Sequence, residues 1–226
     1  LSNEQRKSWR ARNLRRAIHL TDPSCIAMQL LLKARKKLMS IRSEHKKAAG
    51  LVIAKDIAHA KKITAILLKH GDSVELVHSQ DKKASKRLSE FKEGNSHWLV
   101  SVDMCSEGFD APRIRIVAYL TTVATESRFL QGITRAVRMS ISRASIEPIP
   151  RYPSHVFAPA DPLLMEYARN WSIAKPYLIK VNQSVEEIDN NFSLSRGINL
   201  PLEAVSDGAG EVITMRTAEL PHFLKG

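Results

Sequence analysis

The sequence predicts an α/β fold: a parallel sheet with helices on both faces, preceded by helices and followed by an extension. Three observations predict it. Short apolar runs such as Leu51-Val52-Ile53-Ala54 are too continuous for a strand with one wet face and suit a strand buried on both sides. A segment of helical period follows each of them. Strand and helix then alternate several times, the pattern of crossovers between parallel strands.

Taken in order, Thr21-Asp22-Pro23 reads as a helix start, with Asp as cap and Pro in the first turn. Ala27, Leu30, Leu31, Ala34 and Leu38 recur at helical spacing behind it, while Lys33, Arg35, Lys36 and Lys37 make the helix amphipathic with a basic outer surface. The strand at Leu51 leads into a helix marked by Ile57, Ala60, Ile63 and Leu67 and closed by Gly71. Val74 to Val77 is a second strand, and Ala84, Leu88 and Phe91 mark a helix that stops at Gly94-Asn95. Residues 98–102 and 114–120 are strands around a loop, Glu126 to Arg138 is a helix, and His155-Val156-Phe157 is a last strand. Asp161-Pro162 repeats the cap-then-proline device before Leu164, Tyr167, Ala168 and Trp171. Residues 182–210 have few periodic apolar positions and read as loop, with a short strand near Val212-Ile213.

The chain has 226 residues, 43% hydrophobic and 26% charged, which suits one main core. The expected division is a basic helical lead-in at 1–48, the main domain at 49–160 and a helical or irregular extension at 161–226. The net charge of +12 sits at the front: residues 1–48 hold 13 Lys/Arg against 3 Asp/Glu, and residues 161–226 hold 6 against 9. Clustered cations attract phosphate backbones, so a polyanionic partner is the functional reading and a solvated basic helix the plain alternative. Cys25 and Cys105 form no CxxC pair, which argues against a disulfide framework or zinc knuckle and fits a reducing, cytoplasmic setting. His59, His70, His97 and His155 lack metal spacing, and Trp9, Trp98 and Trp171 read as packing residues. No apolar run is long enough for a membrane span. The chain opens on Leu1, so an upstream segment is expected.

The chemistry concentrates in the helix around Gln131. At ~100° per residue, Arg128, Gln131, Arg135 and Arg138 form one stripe, with Phe129, Leu130, Ile133 and Val137 opposite. A row of guanidiniums suits an anion, since the planar fork donates paired hydrogen bonds to phosphate and keeps its proton. Upstream, residues 103–112 form a loop after a strand, where ligands of open parallel sheets bind. Its Gly108 permits close backbone approach, and Asp110 suits ribose hydroxyls.

These segments resemble a known family. EGFDAP at 107–112, followed about twenty residues later by QGITRAVR at 131–138, is similar to motifs V and VI of superfamily 2 helicases of the DEAD/DEAH type. LVIAKDIAHAKKI at 51–63 resembles motif IV, and VHSQDKKASKRLSEFKEG at 77–94 resembles the segment that precedes motif V. The resemblance covers residues 50–158 and implies a second RecA-like motor domain of an ATP-dependent helicase or translocase. It implies that Arg135, as arginine finger, and Arg138 reach a triphosphate held by a first domain, and that Gln131 couples to that domain's acidic motif. Glu107, Gly108 and Asp110 would approach the nucleotide, while Lys55, Ser79 and Ser101 would touch the nucleic-acid strand. Glu107-Gly108 before Phe109 favours DNA over RNA as partner. Thr134 stands where motif VI usually has Gly, and Val102 where motif V often has a phosphate-binding Thr.

The chain contains neither GxxxxGK[ST] nor a strand ending in Asp-Glu, so ATP and Mg2+ are expected to be held mainly by an N-terminal helicase domain in cis or trans. The isolated chain is expected to bind neither and to be inactive. Two other readings stand beside this one: a catalytically inactive, stand-alone nucleic-acid-binding module with a helicase-derived fold, and an unrelated nucleotide-binding α/β enzyme. The latter would need a Gly-rich loop after the first strand, where Ala54-Lys55-Asp56-Ile57 has none.

Overall fold

The computed structural model describes residues 3–102, 109, 111–137, 154–173, 202–207 and 210–215. Two helices, α1 (Asn3–Ala17) and α2 (Ile26–Glu44), lead into β1 (Ala49–Ala54), α3 (Ile57–Lys69), β2 (Val74–Val77), α4 (Ala84–Glu93) and β3 (Trp98–Val102). Then come β4 (Ile114–Leu120), α5 (Glu126–Val137), β5 (Ser154–Phe157), α6 (Pro162–Ile173), β6 (Leu202–Asp207) and β7 (Gly210–Met215). The sheet order is β2-β3-β1-β4-β5-β7-β6. The first five strands are parallel, and β7 and β6 add an antiparallel hairpin beside β5.

Every residue of β1 and β4 is buried, so these central strands need cover on both faces, and the helices divide accordingly. On one face Leu30, Leu31, Ala34 and Leu38 of α2 and Ala60, Ile63 and Leu67 of α3 pack with Val52, Trp98, Val100, Ile116 and Ala118. On the other, Leu88 and Phe91 of α4, Phe129 and Ile133 of α5, and Leu164 and Ala168 of α6 pack with Leu51, Leu99, Val117 and Tyr119. The first face fits so closely around Trp98 that a Cβ at Gly50 would lie 2.1 Å from its ring.

Three elements differ from the sequence expectation. Helix α2 begins at Ile26, not at Pro23, because Asp22 accepts from the Ser24 amide at 2.8 Å and holds a separate turn before it. Strand β6 occupies part of the span read as loop. Its signal was Asp207-Gly208, a turn dipeptide ahead of the pairing of Asp207 with Gly210. Trp9 is 59% exposed, whereas Trp98 is fully buried. The Trp171 side chain lies outside the described residues.

Two buried polar groups are each held by several partners. Asp72, 4% exposed, accepts from Arg35 Nε at 2.9 Å and from Trp98 Nε1 at 3.1 Å. Arg113 donates to the carbonyls of Lys47 at 2.9 Å, Phe91 at 2.7 Å and Ser96, and its guanidinium lies 4.6 Å from the Phe91 ring centroid. One side chain thereby joins the start of β1, the end of α4 and the loop entering β3. Burial lowers its pKa to about 10, which still leaves it charged at neutral pH.

Replacing Arg113 with Ala would leave three carbonyls short of a donor. The expected loss is on the order of 3 kcal/mol, read from the urea midpoint, with Arg113→Lys recovering only part because an ammonium cannot serve three diverging acceptors.

Candidate functional site

In a parallel sheet all the strands end on one side, and here that edge gathers the loops after β1, β2, β4 and β5. After β1, Asp56 caps α3 by accepting from the His59 amide at 2.7 Å, and Lys55 Nζ lies 3.3 Å from Asp56 Oδ2. The His59 amide holds the Asp56 carboxyl below its usual range. After β2, His78 is half-buried and Ser79 exposed. Asp81 accepts from the Lys83 amide at 2.8 Å and pairs with Arg87 at 3.2 Å. After β4, Tyr119 Oη donates to the Val123 carbonyl at 2.6 Å, fixing the short link to α5.

Helix α5 therefore starts at this edge, and up to Thr134, the last side chain described in it, its two faces divide as the periodicity predicts. Phe129 and Ile133 are fully buried, and the Tyr119 and Phe129 rings meet edge to face at 5.1 Å. Arg128 and Gln131 are exposed. Gly132 sets the height of the helix over the sheet: a Cβ there would lie 2.8 Å from Ile53 Cδ1 and 3.3 Å from Tyr119 Cε2. Close approach comes from Gly132, while Thr134, at the position usually Gly, donates its hydroxyl to the Gln131 carbonyl at 3.3 Å. Arg135 belongs to α5 four residues beyond Gln131, with its side chain outside the described residues. Glu107, Gly108, Asp110 and Arg138 also lie outside them.

Lys55 and Ser79 stand exposed at the edge, but Ser101 departs from its expected role. It sits inside the sheet between Ile53 and Val77 and is 1% exposed, so direct contact with a strand would require the sheet to open.

Sequence reasoning missed His59 as a core residue: it is 4% exposed, directly behind Asp56, and reaches the backbone of Ile18 after α1. Burial, partly opposed by Asp56, holds its imidazole at about 4. His155 in β5 is likewise held at about 4, by burial and then by Lys37. The His59 Nδ1 accepts from the Lys55 amide at 3.4 Å, and the His155 Nε2 has no hydrogen-bond partner among the described residues. Its spacing gave one signal, since His59 lies four residues before the buried Ile63 on the inner face of α3.

Residues 31–140 match the family described as "Helicase conserved C-terminal domain". The chain thus carries a helicase C-terminal domain, on the segment that contains the motif resemblances. Among its relatives, the uncharacterized protein Rv2917 of Mycobacterium tuberculosis is 32% identical over 155 residues, which is 66% of this chain and 24% of that protein. The ATP-dependent RNA helicase DBP3 of Meyerozyma guilliermondii is 30% identical over 109 residues, 47% of this chain and 20% of that protein. The chain spans at most about a quarter of the length of either. A solved structure of domain 2 of the DEAD-box helicase Mss116p, bound to an RNA duplex, aligns with a TM-score of 0.42 at 17% identity, covering 49% of this chain and 45% of that one.

Two predictions follow from this geometry. Gly132→Ala should lift α5 from the sheet and destabilise the fold by about 1–3 kcal/mol, and shortening the obstructing side chain with Ile53→Val should recover part of the loss in a double-mutant cycle by urea unfolding. Both histidines bind protons less readily folded than unfolded, so their stability is present in full above pH 6.5 and is lost as pH falls towards 4. Each can steepen the loss by up to about 1.4 kcal/mol per pH unit, and His155→Gln should flatten the urea midpoint between pH 6.5 and 4.

Proposed function

We propose that this chain is the second motor lobe of an ATP-dependent helicase or translocase, acting on DNA in preference to RNA. Another lobe, in cis or in trans, would hold ATP and Mg2+. The observation that carries this reading is α5 itself. It starts at the ligand-binding edge, is seated by Gly132, and turns Arg128 and Gln131 to solvent. Helical rotation assigns Arg135 to the same stripe, one turn beyond Gln131.

In this reading a triphosphate bound to the other lobe faces α5 across a cleft. Water attacks the terminal phosphorus, the bond to the bridging oxygen breaks, and inorganic phosphate and a diphosphate result. Arg135 stabilises charge on the transferring group, Arg138 adds a second guanidinium, and Gln131 hydrogen-bonds across the gap. Glu107, Gly108 and Asp110 meet the nucleotide from the loop after β3. Lys55 and Ser79 hold the strand's phosphates, and closure of the cleft changes that grip with each turnover. Clustered basic residues and the match to a helicase C-terminal domain support a nucleic-acid partner. The preference for DNA rests on Glu107-Gly108.

The test is Arg135→Ala in the full-length parent. Nucleotide binding should persist, while nucleic-acid-stimulated ATP hydrolysis falls by about 10³–10⁵. Arg135→Lys should not restore it, since an ammonium lacks the planar fork. Unchanged turnover would reject the assignment, and equal stimulation by DNA and RNA strands would remove the stated preference.

A further inference from the structure

Helix α1 lies outside the segment that matches the helicase family, yet it sits at the sheet's functional edge. Two contacts place it there. Arg10 Nη1 binds both oxygens of Asp161, at 2.9 and 3.0 Å, and Asp161 follows the end of β5 as the cap of α6. Ile18, just after α1, meets His59 at the start of α3, beyond the end of β1. The helix therefore runs across the strand ends from β5 towards β1. Leu14, 3% exposed, and Ile18, fully buried, anchor its inner side.

Its outer side is a single stripe. Gln5, Trp9, Arg12 and Arg16 are all exposed and, at ~100° per residue, fall within about 60° of one another, opposite Leu14. Trp9, the most exposed large hydrophobic residue among those described, is thus flanked by arginines on one face. Arg6, Lys7, Arg12, Arg15 and Arg16 form no ion pair among the described residues. Among the described residues, three carboxylates along the edge are already engaged, Asp56 by Lys55 and the α3 cap, Asp81 by Arg87, and Asp161 by Arg10 and the α6 cap. A lone aromatic between unneutralised guanidiniums lacks the apolar face a membrane helix needs, and it fits a base stacked on the indole with phosphates on either side.

We propose that α1 is a second strand-binding surface, in which Trp9 stacks on a base while Arg12 and Arg16 hold the phosphates beside it. It extends the track of Lys55 and Ser79 beyond the core domain. The proposal rests on the nucleic-acid reading above for its partner class, and its test separates the two.

The experiment uses the full chain and a fluorescein-labelled dT20 oligonucleotide, with affinity measured by anisotropy over a range of salt. Trp9→Ala should weaken binding about 5- to 100-fold with the salt slope unchanged, as loss of a stacked base does. Arg12→Glu with Arg16→Glu should weaken it at least about 10-fold and lower the salt slope by about 1.4, the share of two phosphates on a single strand. The control is Lys46→Glu with Lys69→Glu, an equal charge change at the opposite edge of the sheet, which should cost less than about threefold at moderate salt. Thermal melting of each variant should match the parent, since all these side chains are exposed. If the α1 variants behave like the control, the proposal falls while the motor reading stands. If the parent chain binds neither dT20 nor oligo(U), both fall. If polyglutamate displaces dT20 at equal charge and quenches tryptophan emission as strongly, the face belongs to an acidic protein and the proposal is overturned.

Discussion

The rest of the structure depends on burying the two central strands, β1 and β4, on both faces. A strand with no wet side has no register in which its apolar residues meet solvent, so helices must seal it above and below at close range. Gly50 lets Trp98 seal one face, and Gly132 lets α5 seal the other. The second seal also positions the exposed face of α5. The height and rotation that bury Phe129 and Ile133 also fix where Arg128 and Gln131 stand, so packing at the sheet sets the position of these two exposed side chains.

Such packing leaves polar groups with few exits, and the long basic side chains solve much of that problem. Arg113 answers three carbonyls where β1, α4 and the entry to β3 converge, and Arg35 with Trp98 neutralises Asp72. Part of the chain's large positive charge is therefore structural. Counting cations overstates what a polyanion can use, and the useful fraction is the set exposed without a carboxylate partner.

The core was legible in the sequence wherever one period ran uninterrupted. Ala27, Leu30, Leu31, Ala34 and Leu38 of α2 were read from spacing alone, and they are the buried residues of that helix. Of the five parallel strands, β1 is legible as a continuous apolar run, and the other four as short, largely apolar stretches alternating with helical segments. The β6–β7 hairpin was harder, because β6 (Leu-Glu-Ala-Val-Ser-Asp) has only weak alternation and joins the sheet through backbone pairing. At the site, the two faces of α5 were legible because its amphipathicity is strong. Ser101 lies near a strand end yet is buried, because β3 is covered on both faces up to that position and nearness to the end gives no access there. Trp9 was misjudged because composition gives no burial: the same indole that fills the core at Trp98 stands in solvent on a helix whose inner side is already served by Leu14.

The strand-end edge combines these themes. Four helices, α3, α4, α5 and α6, begin there, each with amide groups that favour negative charge at its start. Two of those starts are answered internally, by Asp56 and Asp161, and Asp161 is shared with Arg10. Capping and the Arg10 pair thus engage Asp161, the acid that meets α1, and the exposed arginines on its outer side form no ion pair among the described residues. Unpaired surface cations act over a distance screened beyond about 10 Å at 0.1 M salt, so on the proposed reading they bear on encounter as well as on grip. Sequence, packing and charge converge on this edge because the same caps that start the helices decide which cations remain available to a ligand.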